Sequence, residues 1–284
     1  MSYPDMMKQM AERQKKIIEN MNKIKYKISV FSGKGGVGKS VVTANLAAAI
    51  AGLDQGGVGI LDSDFTGPSI PRMMGLDRSQ LEVVGGRLIP PQGAAGVKVV
   101  SMAFLLPEEK TPVIWRGPIK KIALEQLLSS ADWQGTDYLI FDLPPGTGDE
   151  ALNIMQVLPG FDGFIVVTVP TEVSRASVSK SIGFARKMHA KVLGVIENMS
   201  GHVCPHCGND NEIFVGSGGE LLATEMKVPL LGTIPLDHRL SETSDQGVPM
   251  VLKYPDAPAS QRLMEIADSS VKVSGAEADE LFDF

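Results

Sequence analysis

Residues 33–40 decide the fold, and they read Gly33-Lys34-Gly35-Gly36-Val37-Gly38-Lys39-Ser40. They fit the phosphate-binding pattern G-x-x-x-x-G-K-S/T, in which glycines let successive backbone N–H groups turn toward one anion. The apolar run Ile28-Ser29-Val30-Phe31 precedes them and predicts a strand, and a helix-forming run follows from Thr43 to Ala51. This is the context that a phosphate loop requires. The sequence therefore predicts a nucleotide site in which Lys39 reaches the β- and γ-phosphates and Ser40 ligates Mg²⁺.

The composition limits the class of protein. The chain has 284 residues, 43% hydrophobic content and a net charge of -6. These values suit one large α/β domain and argue against a broad nucleic-acid-binding face, because phosphate neutralisation needs clustered Lys and Arg. No apolar run reaches membrane-spanning length, and the N-terminus lacks the apolar core of a signal peptide. We therefore expect a cytoplasmic protein with neither nucleic acid nor membrane as a partner.

Three regions are predicted along the chain. Apolar residues recur at near-helical spacing within residues 1–26, which predicts an amphipathic helix that packs on the domain or on a partner subunit. Residues 27–272 form the phosphate-loop domain, which includes a C-P-x-C metal loop near 202–208. Residues 273–284 form an acidic, flexible tail. Apolar strands alternate with helical segments throughout the domain, which predicts a doubly wound, mostly parallel sheet flanked by helices.

Carboxylates follow two of the predicted strands. Asp62 and Asp64 come directly after the apolar run 58–61, and Asp142 ends the run 137–142. The carboxyl ends of strands in open α/β sheets form the ligand-binding crevice, and an acid there suits the Mg²⁺ of a phosphate-loop enzyme. Asp142 is therefore the candidate for the Walker-B acid, and the Pro-Pro-Gly segment after it suits a switch loop. Asp62 could instead cap the next turn.

A second lysine, Lys34, follows the first glycine of the loop, where an ordinary phosphate loop does not need one. It is poorly aimed at the nucleotide of its own chain but could neutralise charge at a nucleotide that faces it across a dimer. The alternative is a solvated surface lysine. The string K-G-G-V-G-K-S resembles the signature of the deviant-Walker ATPases, which include MinD, ParA, the nitrogenase iron protein and the Mrp/ApbC family. That resemblance implies a nucleotide-sandwich homodimer with Lys34 among its catalytic residues.

The resemblance also implies roles for three other residues. It implies that Asp64 positions the attacking water and that Asp62 supports the coordination shell of Mg²⁺. It places Asn198, at the end of the run 192–198, against the adenine ring, where an amide offers the donor and acceptor pair that a base edge requires. The guanine-reading pattern Asn-Lys-x-Asp is absent at this position, so ATP is favoured over GTP.

The chain has two cysteines, Cys204 and Cys207, within the turn sequence C-P-H-C-G. Two thiolates at this spacing suit zinc or an iron-sulfur cluster. A site closed by thiolates alone needs about four of them, so a second pair would come from a symmetric partner subunit. A zinc ion shared by the dimer is one alternative. A zinc ion held within one chain by both cysteines and His202 or His206 is another, and a redox dithiol is a third.

Taken together, the motifs from Lys27 to about Tyr254 closely resemble the Mrp/ApbC family. They are the phosphate loop with its extra lysine, D-S-D-F-x-G-P-S, W-R-G-P, D-L-P-P-G-T-G-D, and E-N-M-S followed by C-P-x-C-G. The resemblance implies an ATP-dependent carrier that binds a 4Fe-4S cluster across a homodimer and transfers it to apoproteins. Its partners would be apo client proteins and cluster donors. The rival interpretation is a MinD- or ParA-like positioning or regulatory ATPase with a structural zinc at the dimer interface.

Overall fold

The computed structural model describes residues 3–65, 67–77, 79–105, 117–146, 149–157, 160–187, 190–204, 207, 209–211 and 218–275. In these ranges the strands, in chain order, are β1 (Tyr26–Ser32), β2 (Val58–Asp62), β3 (Glu82–Val84), β4 (Arg87–Ile89), β5 (Lys98–Ser101), β6 (Tyr138–Asp142), β7 (Gly163–Thr168), β8 (Val192–Asn198), β9 (His202–Val203), β10 (Asp210–Asn211) and β11 (Leu230–Ile234). The helices are α1 (Tyr3–Met21), α2 (Lys39–Gly52), α3 (Ile70–Met73), α4 (Gly117–Ser130), α5 (Asp149–Val157), α6 (Glu172–Lys187), α7 (Gly218–Met226), α8 (His238–Gln246), α9 (Met250–Lys253) and α10 (Pro258–Gly275).

The described part of the chain contains a seven-stranded sheet in the order β11-β8-β7-β1-β6-β2-β5. Every neighbouring pair in it is parallel. The predicted doubly wound, mostly parallel sheet is thus confirmed. Two short antiparallel pairs, β3 with β4 and β9 with β10, lie outside it.

The central strands are apolar on both faces because helices cover both sides of a parallel sheet. On β6, Ile140 packs into the core that α2 and α10 share, whereas Leu139 and Phe141 pack into the core beneath α1, α4 and α5. All three side chains are fully buried. A continuous apolar run was therefore the correct signal for these strands.

Helix α1 packs into the domain. Its side chains Ile17 and Met21 are fully buried in the same core as Leu127 of α4. The Asn20 amide donates to the carbonyls of Leu128 and Ser129, each at 3.1 Å. It thus satisfies two carbonyl groups at the C-terminal end of α4, which have no partner within the helix. The predicted amphipathic helix thus covers one face of the sheet.

The last helix, α10, continues to Gly275, three residues past the predicted domain boundary at 272. Ser274 is buried, and the Val273 carbonyl accepts a hydrogen bond of 3.2 Å from Lys191 Nζ. Residues 273–275 therefore belong to the packed helix rather than to a tail. Residues 276–284 lie outside the described part of the chain. None of the described helices is long and apolar enough to cross a membrane.

Candidate nucleotide site and cysteine hairpin

The phosphate loop joins β1 to α2, and two of its glycines adopt a left-handed backbone. Gly36 and Gly38 both have φ of 80°, a conformation that favours glycine. A side chain at Gly33 would meet the backbone of Ser177 in α6 at 2.7 Å, so only glycine lets the loop lie against that helix. Helix α2 begins at Lys39, directly after Gly38. Its N-terminus therefore points its partial positive charge and unpaired N–H groups at the loop.

The loop presents its residues to solvent unevenly. Gly35 and Gly36 are exposed, Lys34 is partly exposed, and Val37 is buried. The segment that follows β6 lies beside the loop, because the Gly146 N–H donates to the Ser32 carbonyl at 2.8 Å. Thr147 and Gly148, the rest of the predicted switch segment, lie outside the described residues.

Asp142 lies at the centre of a buried network. Lys39 Nζ is 2.7 Å from Asp142 Oδ2, and Ser40 Oγ donates to the same oxygen at 2.6 Å. Thr43 Oγ1 donates to Asp142 Oδ1 at 2.8 Å. Three donors from the first turns of α2 thus surround the fully buried carboxyl group of Asp142.

Asp62 is the direct neighbour of Asp142. The two residues are paired in the parallel register of β2 and β6, and both are buried. Burial, followed by the charge of Asp142, raises the pKa of Asp62 to about 8, whereas the Lys39 ammonium acts in the opposite direction. The carboxyl groups of Asp62 and Asp142 are neighbours in the sheet register, and oxygen ligands of this kind fit a divalent cation.

Asp62 also holds the chain that leaves β2. Its carboxylate accepts the N–H groups of Asp64 at 3.2 Å and Ile70 at 3.3 Å, and the Ser101 hydroxyl at 3.1 Å. The capping role considered for Asp62 is therefore present in the structure. Asp64 is partly exposed, and its Oδ1 accepts the Gly67 N–H at 3.2 Å.

Asn198 lies against the phosphate loop at the end of β8. Its Nδ2 donates to the Val37 carbonyl at 2.9 Å, which fixes the orientation of the amide, since a carbonyl accepts only from the nitrogen. The other amide atom, Oδ1, is buried and has no hydrogen-bond partner among the described residues. The site thus contains an unused buried acceptor beside the loop, and such a group is costly unless a ligand satisfies it.

The two cysteines lie on a small hairpin formed by β9 and β10. The Cys204 N–H donates to the Asn209 carbonyl at 2.9 Å, which extends the pairing of the two strands. Cys204 is partly exposed and Cys207 is exposed, and no disulfide joins them. Pro205, His206 and Gly208 lie outside the described residues.

His202 makes a contact of its own, since its Nδ1 lies 3.1 Å from the Leu236 carbonyl. Within the ranges that the structure describes, His, Cys, Asp and Glu side chains form no cluster of three or more that could hold a metal ion. His206, the other candidate histidine ligand for a zinc ion within one chain, lies outside the described residues.

Sequence reasoning missed three residues of this region. Thr43 lies four residues after Lys39 and three after Ser40, so helical spacing could have placed it on their face. Ser101 ends β5, the strand next to β2, and could have been found as a polar residue at a strand end. Glu197 is buried and accepts a hydrogen bond from Gly219, a contact that no local pattern indicates.

A parallel sheet, a phosphate loop after β1 and an acid at the end of β6 define a P-loop nucleotide-binding protein. The family model described as ParA, NUBPL iron-transfer P-loop NTPase, matches residues 23–271. The chain belongs to this family, and the family recognised in its sequence is confirmed.

Two relatives are similar to this chain over nearly its whole length. The iron-sulfur cluster carrier protein of Saccharolobus solfataricus is 51% identical over 258 residues, which cover 91% of this chain and 87% of that protein. The iron-sulfur cluster carrier protein of Methanocaldococcus jannaschii is 50% identical over 273 residues, which cover 96% of this chain and 93% of the relative.

Solved structures show the same fold. A nucleotide-binding protein from Archaeoglobus fulgidus, in complex with ADP, has a TM-score of 0.75 and 37% identity, covering 86% of this chain and 94% of that one. The septum site-determining protein MinD of Pyrococcus horikoshii, in complex with Mg-ADP, has a TM-score of 0.66 and 25% identity, covering 88% of this chain and 97% of that one. The similarity to MinD-type proteins in the predicted fold is thereby confirmed.

Proposed function

We propose that this protein is a homodimeric, Mg²⁺-dependent ATPase that binds a 4Fe-4S cluster and transfers it to apoproteins. The observation that carries the proposal is the hairpin of Cys204 and Cys207 on a P-loop NTPase whose relatives are named iron-sulfur cluster carrier proteins. The nucleotide site and the thiols supply the two activities that such a carrier combines.

ATP binds with its phosphates on the loop formed by residues 33–40. Lys39 contacts Asp142, so on ATP binding Lys39 would exchange this carboxylate for the β- and γ-phosphates. Asn198 Oδ1 accepts a hydrogen bond from the exocyclic amine of adenine. Guanine carries a carbonyl oxygen at that position and cannot donate, which favours ATP over GTP.

The donor set beside the loop fits Mg²⁺. Ser40 offers a hydroxyl, Asp142 and Asp62 offer carboxylates, and hard oxygen ligands are the ones that Mg²⁺ takes. When bound, the ion neutralises charge on the phosphates. Asp142 and Ser40 would hold the ion, and Asp62 would support its shell.

Hydrolysis of ATP to ADP and phosphate needs a positioned water and compensation of the developing charge. Asp64, in the partly exposed turn after β2, orients the water. Lys34 is partly exposed on the phosphate loop, which leaves it accessible to the nucleotide of a partner subunit. The nucleotide-sandwich homodimer would also bring the two cysteine hairpins together.

The cluster is the cargo of this protein. Each subunit supplies Cys204 and Cys207, and the two pairs together give the four thiolates of a 4Fe-4S site. The partners are donors that load the cluster and apoproteins that receive it. Zinc is the alternative occupant, because the same thiolates bind it.

The test is anaerobic iron, sulfide and zinc analysis of the reconstituted protein, together with its absorption spectrum and oligomeric mass. About four iron and four sulfide per dimer, lost in Cys204→Ala, are expected. Lys39→Ala should lose nucleotide binding and keep the cluster. Stoichiometric zinc without bound iron would overturn the carrier function and favour a MinD-like regulatory ATPase with a structural zinc.

A further inference from the structure

The hydroxyl of Ser101 lies on the carboxyl group of Asp62. The two residues are partners in the parallel register of β5 and β2. Ser101 is fully buried, so water does not compete for its hydroxyl. Its Oγ donates to Asp62 Oδ2 at 3.1 Å and accepts the N–H of Ala103, also at 3.1 Å. The N–H of Ala103 thus fixes the position of the oxygen, and the hydroxyl proton is directed at Asp62.

Two other donors to Asp62 come from a different part of the structure. The N–H of Asp64 donates to Oδ1 at 3.2 Å, and the N–H of Ile70 donates to Oδ2 at 3.3 Å. Both belong to the segment that leaves β2 directly after Asp62. Ser101 belongs instead to the neighbouring strand, and its hydrogen bond is the shortest of the three. Ser101 therefore ties the carboxyl group to the sheet itself.

The orientation of this carboxyl group matters for the site beside the phosphate loop. Rotation about the last side-chain bond of an aspartate is only weakly restricted, so neighbouring donors decide where its oxygens lie. Asp62 is buried next to Asp142, one of the residues that fit a divalent cation. Hydrogen bonds that orient the groups around a metal ion commonly contribute about 10- to 100-fold to its affinity.

We propose that Ser101 is a positioning residue that orients the carboxyl group of Asp62 for the Mg²⁺ of the bound nucleotide. The proposal rests on the proposed function, in which Asp62 supports the shell of this ion. Ser101 acts through Asp62 and not on the ion or the phosphates. Because Ser101 holds the carboxyl group in one orientation, the cation does not have to order it on binding. Ser101 therefore contributes to the effect of Mg²⁺ on ATP binding and not to the binding of ATP alone.

Ser63 offers a matched control. It is also a fully buried serine, and it directly follows Asp62 in the chain. Its Oγ donates to the main-chain carbonyl of Asp142 at 2.8 Å. The substitution Ser63→Ala therefore deletes a buried hydroxyl of the same size without removing a donor from either carboxyl group.

The test measures the ATP dissociation constant of the cluster-free protein by calorimetric titration, in EDTA and in excess Mg²⁺. The ratio of the two constants is the factor by which Mg²⁺ strengthens ATP binding. Mg-ATP forms in solution to the same extent for every variant, so its contribution cancels when the factors are compared. In Ser101→Ala the factor should fall about tenfold, while the dissociation constant in EDTA keeps its wild-type value. Ser63→Ala should keep the wild-type factor.

A second pair of variants keeps the test decisive if alanine disturbs the end of β5. Ser101→Thr and Ser101→Val introduce β-branched side chains of similar shape, but only threonine keeps the hydroxyl. The threonine variant should retain the effect of Mg²⁺, and the valine variant should lose it. An unchanged factor in Ser101→Ala, an equal loss in Ser63→Ala, or equal factors in the threonine and valine variants would each overturn the proposal.

The outcome is separable from that of the proposed function. If Mg²⁺ does not strengthen ATP binding in the wild-type chain, the Mg²⁺ dependence in the proposed function and the role of Ser101 are both overturned. If Mg²⁺ strengthens binding equally in the wild-type chain and in Ser101→Ala, only the role of Ser101 is overturned. Iron and sulfide analysis decides the carrier function independently, because the titration uses protein without a cluster.

Discussion

Removing the hydroxyl of Thr43 should destabilise the nucleotide-free protein. The substitution Thr43→Val keeps the shape of the side chain and deletes the donor to Asp142 Oδ1. Thr43 is fully buried, so water cannot replace the lost hydrogen bond. The carboxylate keeps Lys39 and Ser40 on its other oxygen, but Oδ1 loses its side-chain donor.

The size of the effect follows from the charge of the acceptor. A hydrogen bond to a charged group contributes about 1.5–3 kcal/mol, and leaving a buried acceptor unpaired costs a similar amount. The valine methyl group recovers part of this through its apolar contacts. We therefore expect the free energy of unfolding to fall by about 2 kcal/mol.

Urea unfolding, followed by circular dichroism in the absence of nucleotide, measures this change. The matched control is Thr136→Val, because Thr136 is also buried but its Oγ1 has no hydrogen-bond partner among the described residues. The control should be neutral or slightly stabilising, within about 0.5 kcal/mol. Equal losses in the two variants would refute the view that Thr43 stabilises the Asp142 carboxylate.

Three further predictions concern other parts of the structure. In EDTA, the free energy of unfolding should decrease as the pH rises from about 4 to about 8, because the raised pKa of Asp62 makes the folded state hold a proton that the unfolded state releases. The substitution Asp62→Asn should flatten this pH dependence. An unchanged slope in that variant would contradict the role given to Asp62. Asn20→Ala removes the two hydrogen bonds that α1 donates to the end of α4, and the free energy of unfolding should fall by about 1–2 kcal/mol in the same assay. An unchanged free energy of unfolding would mean that apolar packing alone holds α1. In Gly38→Ala the alanine would have to adopt φ of 80°, and its Cβ would overlap the side chain of Asn198. Calorimetric titration should therefore detect no ATP binding. Wild-type affinity for ATP would contradict the geometry of the loop.

The fold could be predicted because its signals are local. A continuous apolar run that ends in an acid describes β2 and β6 well, since such strands are buried on both faces and finish at the ligand-binding edge. Asp62 and Asp142 were therefore found as candidate residues. Their direct pairing was not predicted, because the order of strands in the sheet depends on crossover connections between distant segments.

The contacts that were missed are mostly non-local. Glu197 accepts from Gly219, twenty-two positions away, and the helix that brings Gly219 there is placed by tertiary packing. The partnership of Asn198 with Val37 spans 161 positions. Thr43 is different, because helical spacing places it near Lys39, but the run from Thr43 to Ala51 is mostly apolar and by itself predicts only a helix.

On the proposed function, the buried ion pair of Lys39 and Asp142 links the binding of a cation to the binding of phosphates. Lys39 is 6% exposed and Asp142 is 1% exposed, so neither charge can lose its partner without a replacement. If Lys39 turns to the phosphates alone, Asp142 loses its cationic partner while it stays buried beside Asp62. A divalent cation that takes the place of the ammonium removes this penalty, and it also offers the phosphates a second positive charge. On the proposed function, ATP and Mg²⁺ would therefore strengthen each other's binding, since each would replace one half of the buried ion pair.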